Sequence, residues 1–307
     1  MRILKLIGLV LLVVLVGAAA MLLPAHLQIR DIEPDLPSAS ELRSLSSHPD
    51  RPIRVSYLRT AEQPRAGDIL GHTVFVAEWA DGRRFMVDAS MDETAASEFA
   101  SLMRSLGEAG DEIYHGSVVD LIGEDIARID GVGLTHLHID HTQGLVPFCA
   151  ARGAGAKIFQ TPWQAEEVNL HTREGAEIVG ASCLTREVGE RSGLYALPGF
   201  GGVGMIALGG HTPGSTLFAI AGPDQTWLFA GDTTNVKRHI PDNQPKALAY
   251  SYLMVPENTA RTEQLRRWLA ELDAASGIRV IVSHDIEDTV RSGMPAYSTN
   301  EVDHAEK

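Results

Sequence analysis

The stretch Thr135-His136-Leu137-His138-Ile139-Asp140-His141 limits the folds open to this chain more tightly than any other. Four side chains of metal-ligating type follow directly on an apolar run, Ile129 to Leu134, that reads as a strand. On an extended segment alternate side chains share a face, so His136 and His138 point the same way. A turn immediately after brings Asp140 and His141 to a neighbouring position. Packing alone rarely assembles donors this densely, whereas two adjacent metal positions would use all four. The fold must therefore end a strand near Leu134 and aim that end at a polar centre.

Three later segments offer more donors. His211 lies in Gly209-Gly210-His211-Thr212-Pro213-Gly214, Asp232 in Ala230-Gly231-Asp232-Thr233, and His284 in Val282-Ser283-His284-Asp285, each just past an apolar run. Strand ends along one sheet edge converge, and glycine beside a donor lets backbone approach closely. Seven donors are then available for two ions. His26, His48, His72, His115, His171, His239 and His304 lack such a context and read as surface or hydrogen-bonded histidines.

Around these donors the pattern is strand-rich. Ile53 to Leu58 and Thr73 to Trp79 read as strands, and Asp81-Gly82 reads as a hairpin turn into Arg84 to Val87. Asp92 to Leu106, Thr142 to Ala150, Pro162 to Leu170 and Ala260 to Ala274 have helical spacing. Lys157 to Gln160, Val203 to Leu208, Thr216 to Ala221, Thr226 to Ala230 and Arg279 to Val282 complete the strands. The order implies an α/β (α+β) fold, a four-layer αββα sandwich of two mixed β-sheets with helices on the outer faces. Glu62 to Gly71 and His171 to Pro198 read as loops with no diagnostic motif.

Arg2 and Lys5 precede an uncharged run, Leu6 to Leu23, closed by Pro24. Residues 1–25 thus read as a signal peptide or membrane anchor. Ala18 and Ala20 supply the small-x-small pattern of a signal-peptidase site, while the length of the run suits retention. In either case the body is exported, periplasmic or anchored with its catalytic domain outside the cytoplasm. Residues 26–52, rich in Pro, Ser and Asp, read as a polar tether, and 53–307 as the catalytic domain. A formal charge of −14 would repel a phosphate backbone, which disfavours nucleic acid as a partner. Cys149 and Cys183 read as buried small hydrophobes, and one disulfide between them is compatible with an exported body.

HLHIDH, followed in order by GHTPGS, GD and SHD, resembles the metallo-β-lactamase fold superfamily over about Ile53 to Ile286. The resemblance implies that His136, His138 and His211 hold a first metal and that Asp140, His141 and His284 hold a second, with Asp232 bridging them. It also implies that Asp88 braces the metal loop without ligating. True metallo-β-lactamases lack the bridging aspartate and flavodiiron proteins place a carboxylate where His138 stands, so neither activity is expected. Glyoxalase II and the acyl-homoserine lactonases share all seven ligands, and the SHD and GHTPG segments look most like the lactonases. Two positions depart from the lactonase pattern: Leu145 replaces the second glycine of DHxGG, and Asn235 stands where lactonases carry a tyrosine. Tyr195, Tyr250 and Tyr252 are the candidates to approach from another loop.

Two ions about 3.5–4 Å apart activate a shared water and polarise the bond being cut. His and carboxylate donors suit zinc, with manganese, iron or cobalt compatible with the same set. The expected activity is hydrolysis of a small-molecule ester or lactone, with Asp140 or Asp232 relaying a proton to the leaving group. Phosphodiester or sulfate ester hydrolysis is the alternative. A β-lactamase or a non-catalytic metal-binding protein is less compatible with the intact ligand set.

Overall fold

The chain is described by a computed structural model covering residues 2–298. Residues 299–307 of the expected catalytic domain, His304 among them, lie outside the described residues.

Alternation along the strands builds two facing sheets. The first contains β1 (Arg54–Arg65), β2 (Asp68–Glu78), β3 (Arg84–Val87), β4 (Ile113–Tyr114), β5 (Ile129–Gly133), β6 (Lys157–Gln160) and β7 (Thr185–Val188), in the order β4-β1-β2-β3-β5-β6-β7. The second contains β8 (Leu194–Ala196), β9 (Val203–Ala207), β10 (Thr216–Ala221), β11 (Thr226–Phe229) and β12 (Ile278–Ile281), in the order β12-β11-β10-β9-β8. On β2 and β3, Phe75, Ala77, Phe85 and Val87 face the second sheet, while Val74, Val76 and Met86 face outward to helices. On β10, Phe218 and Ile220 face the first sheet, while Leu217, Ala219 and Ala221 face the helix Thr259–Asp273. The period of two thus gives each sheet two buried faces and makes helices on both outer sides obligatory. Phe75 and Phe229 meet across the middle with ring centroids 4.2 Å apart. The expected four-layer sandwich is the observed one.

Topology puts the chemistry on one edge. Strands β3 and β5 run parallel, as do β11 and β12, and β9 lies antiparallel to β10, which lies antiparallel to β11. The carboxyl ends of β3, β5, β9, β11 and β12 lead directly to Asp88, the His136–His141 loop, His211, Asp232 and His284.

Several local expectations differ from the structure. Residues 62–71, expected as a loop, are mostly the β1–β2 hairpin, which turns tightly after Arg65. Residues 171–198 include the helix Arg173–Ala181 and strands β7 and β8. The helix begun at Pro162 stops at Glu166, and Asn169 Oδ1 then accepts the amides of His171 and Thr172 to form a turn. The segment 26–52, expected as a tether, is packed against the body. Ile29, Ile32, Leu42 and Leu45 are buried, a capping box at Ser38 starts the helix Ala39–Ser44, and the Thr259–Asp273 helix holds the strap by its carbonyls. Arg261 donates to Pro34 O at 2.5 Å, and the indole of Trp268 donates to Pro37 O at 3.0 Å. Cys149 and Cys183 form a disulfide with Cα atoms 5.4 Å apart, a normal separation for the bond.

Candidate metal centre

Asp88 shows how the centre is held. It follows β3 in the left-handed region (φ 63°), which aspartate tolerates better than most residues. Its buried carboxylate accepts the Thr135 amide at 2.7 Å and the Thr135 hydroxyl at 2.9 Å, and meets His141 Nδ1 at 2.9 Å. Both ends of the metal loop are thereby tied to one side chain, and the Nε2 of His141 is turned inward. Two other histidines are oriented in the same way: His211 Nδ1 lies 2.5 Å from Glu257 Oε1, and His284 Nδ1 lies 2.7 Å from Gly71 O. Fixing one ring nitrogen through a hydrogen bond sets the tautomer that presents the other to a metal.

All seven expected donors converge. Potential ligand atoms of His136, His138 and His211 lie within 4.8 Å of one another, as do those of His136, His141 and Asp232. Asp232 stands in the middle: its carboxylate is 4.0 Å from His136 Nε2, 3.8 Å from His211 Nε2, 3.6 Å from His141 Nε2 and 3.0 Å from His284 Nε2. Asp140 Oδ2 closes the other side, 3.5 Å from His284 and 3.6 Å from His141.

This donor set fits a pair of divalent ions on its own chemistry. His138 Nε2, His141 Nε2, His211 Nε2 and Asp232 Oδ1 are buried without hydrogen-bond partners. Leaving such groups unsatisfied costs about 1–3 kcal/mol each, a cost that cations at the centre would remove. Burial, and then neighbouring imidazoles, hold His136 and His138 well below the usual histidine range, which keeps them neutral as metal donors must be. Burial pushes His141 in the same direction, but Asp88 and then Asp140 outweigh it and lift the group to about 10. Burial would raise Asp232, yet His284 and His136 hold its carboxyl well below the usual range, so it stays an anion.

Three buried groups here were not singled out from the sequence. His72, on β2, has Nδ1 unpartnered and 3.6 Å from Asp140 Oδ2, and it groups with Asp140 and His284 as a further donor. Glu257 accepts from Ser251 Oγ at 2.6 Å and pairs with Lys246 at 2.8 Å. Lys246 also donates to Asp232 O at 2.7 Å. Nothing in the local sequence marks any of the three, because each is brought in by topology. Among the tyrosines, Tyr195 packs against the core between the sheets. Tyr250 has its ring 5.0 Å from Lys246 Nζ, and burial and then Asp232 and Glu257 push its phenol well above the usual range.

The family model of the metallo-β-lactamase superfamily matches residues 67–282, well over half the chain. The chain belongs to the metallo-β-lactamase superfamily. Among solved structures of this superfamily fold, Bacillus thuringiensis AiiA with N-decanoyl-L-homoserine bound is 16% identical at a TM-score of 0.56, covering 78% of this chain and 96% of that one. An N-acyl homoserine lactone hydrolase with N-hexanoyl-L-homoserine at its catalytic metal centre is 17% identical at 0.55, covering 79% and 96%. A probable metal-dependent hydrolase from Staphylococcus aureus is 16% identical at 0.54, covering 77% and 90%. At these identities the likeness establishes the fold. No curated protein sequence matches the chain. Superfamily membership and the intact donor set make the chain a metal-dependent hydrolase.

Proposed function

We propose that this superfamily member is a dinuclear zinc hydrolase acting on a small ester or lactone. The observation that carries the reading is the position of Asp232, whose carboxylate lies within 4.0 Å of nitrogens from both expected histidine groups. His136, His138 and His211 would hold one ion, Asp140, His141 and His284 the other, and Asp232 both. Two bound ions supply an activated water and polarise the carbonyl.

The chain's own residues do the rest. Asp88, Glu257 and the Gly71 carbonyl fix three imidazoles, so the donors are set before substrate arrives. Asp140 Oδ2, at the edge of the centre, would accept the proton released as water attacks the carbonyl and pass it to the departing alkoxide, while Asp232 stays anionic between the histidines. Lys246, the cation a phosphoryl or sulfuryl group would call on, is already paired with Glu257 at 2.8 Å, which favours carbonyl substrates. The N-acyl-L-homoserine bound in two structural neighbours, in one of them as the product of an N-acyl homoserine lactone hydrolase, supports the same substrate class. Of the two expected fates of the N-terminal segment, cleaved signal peptide or anchor, we propose the anchor, with the basic start on the cytoplasmic side and the body outside.

The test is elemental analysis of the purified chain, followed by a panel of lactones, thioesters and phosphodiesters assayed side by side. About two zinc per chain and activity on a lactone or ester, both lost in Asp232→Ala, are expected. A folded chain that takes up no zinc would refute the proposal, and turnover of phosphodiesters alone would refute its substrate class.

A further inference from the structure

We propose that the mouth of the metal centre rests on the lipid bilayer and that the substrate is an acyl-bearing amphiphile drawn from the leaflet. This inference rests on the anchored hydrolase proposed above and adds where the substrate comes from.

The N-terminal helix runs without a break from Arg2 to Ile29, with a mean hydropathy of 3.0 over its most apolar 18 residues. Its apolar run, Leu6 to Leu23, is about 27 Å long at about 1.5 Å per residue, close to the hydrocarbon thickness of about 30 Å. Almost immediately after it, Ala25 and Ile29 are buried in the body. Fewer than two helical turns separate the last lipid-facing leucine from the packed domain, so the body has no slack with which to stand off the membrane.

The helix exit is pinned to two loops. His26 Nε2 lies 3.1 Å from Tyr252 O, with the two rings 5.5 Å apart. Gln28 Nε2 donates to Glu167 Oε2 at 2.8 Å and to Val168 O at 3.4 Å. His26 is three residues beyond Leu23, about 4.5 Å along the axis, which sets Tyr252 at headgroup depth, where aromatic side chains concentrate. The same two loops expose Val168, Leu170, Leu248, Tyr252 and Leu253, with Leu248 at 72% and Leu253 at 64%. Clustered exposed apolar side chains mark a binding surface. Here the surface is continuous with a membrane-length apolar helix, and that continuity identifies lipid as its occupant.

The rim residues adjoin residues of the metal centre along the chain. Leu170 precedes His171, whose ring lies 6.4 Å from that of His138. Leu248 lies two residues before Tyr250, whose ring is 5.0 Å from Lys246 Nζ, the ammonium that donates to Asp232 O, and three before Ser251, which holds Glu257 and through it His211. A substrate whose acyl tail stays among the exposed leucines would bring its ester or lactone head to the metals without crossing water.

The experiment uses the full chain, zinc-loaded, in phosphatidylcholine vesicles. Leu248→Trp and Leu253→Trp are compared with Leu102→Trp, on the helix Glu93–Ser105, for quenching of the added emission by brominated phospholipid. Quenching at 248 and 253 but not at 102 is expected. No quenching at 248 and 253 overturns the proposal, whether the rim proves bare or covered by a second copy of the chain. A membrane-extracted protein whose mass lacks the first twenty residues overturns it as well. For the substrate, Leu248→Asp with Leu253→Asp should raise KM about tenfold for a long-chain ester or lactone dispersed in the vesicles. It should leave zinc content and KM for a short, water-soluble analogue unchanged. Equal effects on both chain lengths overturn the claim of supply from the leaflet. A parent inactive on every ester and lactone refutes the hydrolase reading and the substrate claim with it, while the quenching still decides the membrane surface.

Discussion

Replacing Asp88 by asparagine separates holding the fold from holding the metal. Asparagine keeps the shape and tolerates the left-handed backbone at φ 63°. Its amide oxygen can sit where Asp88 Oδ1 sits and still accept the Thr135 amide, now at 2.7 Å. The NH2 then occupies the Oδ2 position, 2.9 Å from His141 Nδ1. Two donors cannot face each other, so His141 must carry its proton on Nε2, the atom needed at the second metal. The charge-assisted bond to His141 is lost and the hydroxyl of Thr135 loses one acceptor, a cost of about 1–3 kcal/mol in melting experiments. Second-metal affinity should fall about 10- to 100-fold in chelator competition, with the first metal nearly unchanged. Asp88→Ala strands all three groups and should cost about 3–6 kcal/mol. A D88N protein that binds both zinc ions with parental affinity would show that the tautomer argument is wrong.

His72→Ala should weaken the second zinc about tenfold in the same competition, because an unpartnered imidazole 3.6 Å from Asp140 is removed; unchanged affinity would reduce His72 to a packing residue. A Cβ at Gly175 would meet Leu137 O at 2.1 Å, between the donors His136 and His138. Gly175→Ala should therefore lose about 1–3 kcal/mol of stability and loosen the first metal, measured by melting with and without zinc. Cys149→Ser opens a disulfide between residues 34 apart and should cost about 2–4 kcal/mol in denaturant melts; no change on reduction of the parent would mean the bond is not formed. Removing zinc from a protein held at a free concentration of about one hundred Kd should lower its stability by about 2.7 kcal/mol, and a melting temperature indifferent to chelator would count against metal binding.

The most legible part of the centre was the part with a local signature. His136, His138, Asp140 and His141 stand together after one strand, and His211, Asp232 and His284 each follow an apolar run and a change of pattern. The layered fold was legible because β2, β3 and β10 alternate so that both faces are apolar. His72 gave no signal because it lies in mid-strand. It meets Asp140 only because β2 runs beside the His284 loop, where Gly71 N donates to His284 O at 3.0 Å. Glu257 and Lys246 were hidden for the same reason, each being an ordinary charged residue until His211 is folded against it. The strap at 26–52 was misleading because its buried apolar residues come as two short pairs, Ile29 with Ile32 and Leu42 with Leu45, too brief to sustain a period. Their burial depends on carbonyls caught by Arg261 and Trp268 far along the chain.

The division of ligands between the sheets also sets an order of events during synthesis. His136, His138, Asp140 and His141 leave the ribosome with the first sheet, but His211 and Asp232 follow later and His284 arrives only with β12. A growing chain can therefore offer four donors while lacking Asp232, the carboxylate proposed to join the two positions. Since β12 pairs with β11 alone, at the sheet's edge, His284 is seated only once that single pairing has formed. On the proposed dinuclear reading, a nascent or truncated chain would be a poor thief of zinc, and capture of the second ion would serve as a certificate that the sandwich has closed.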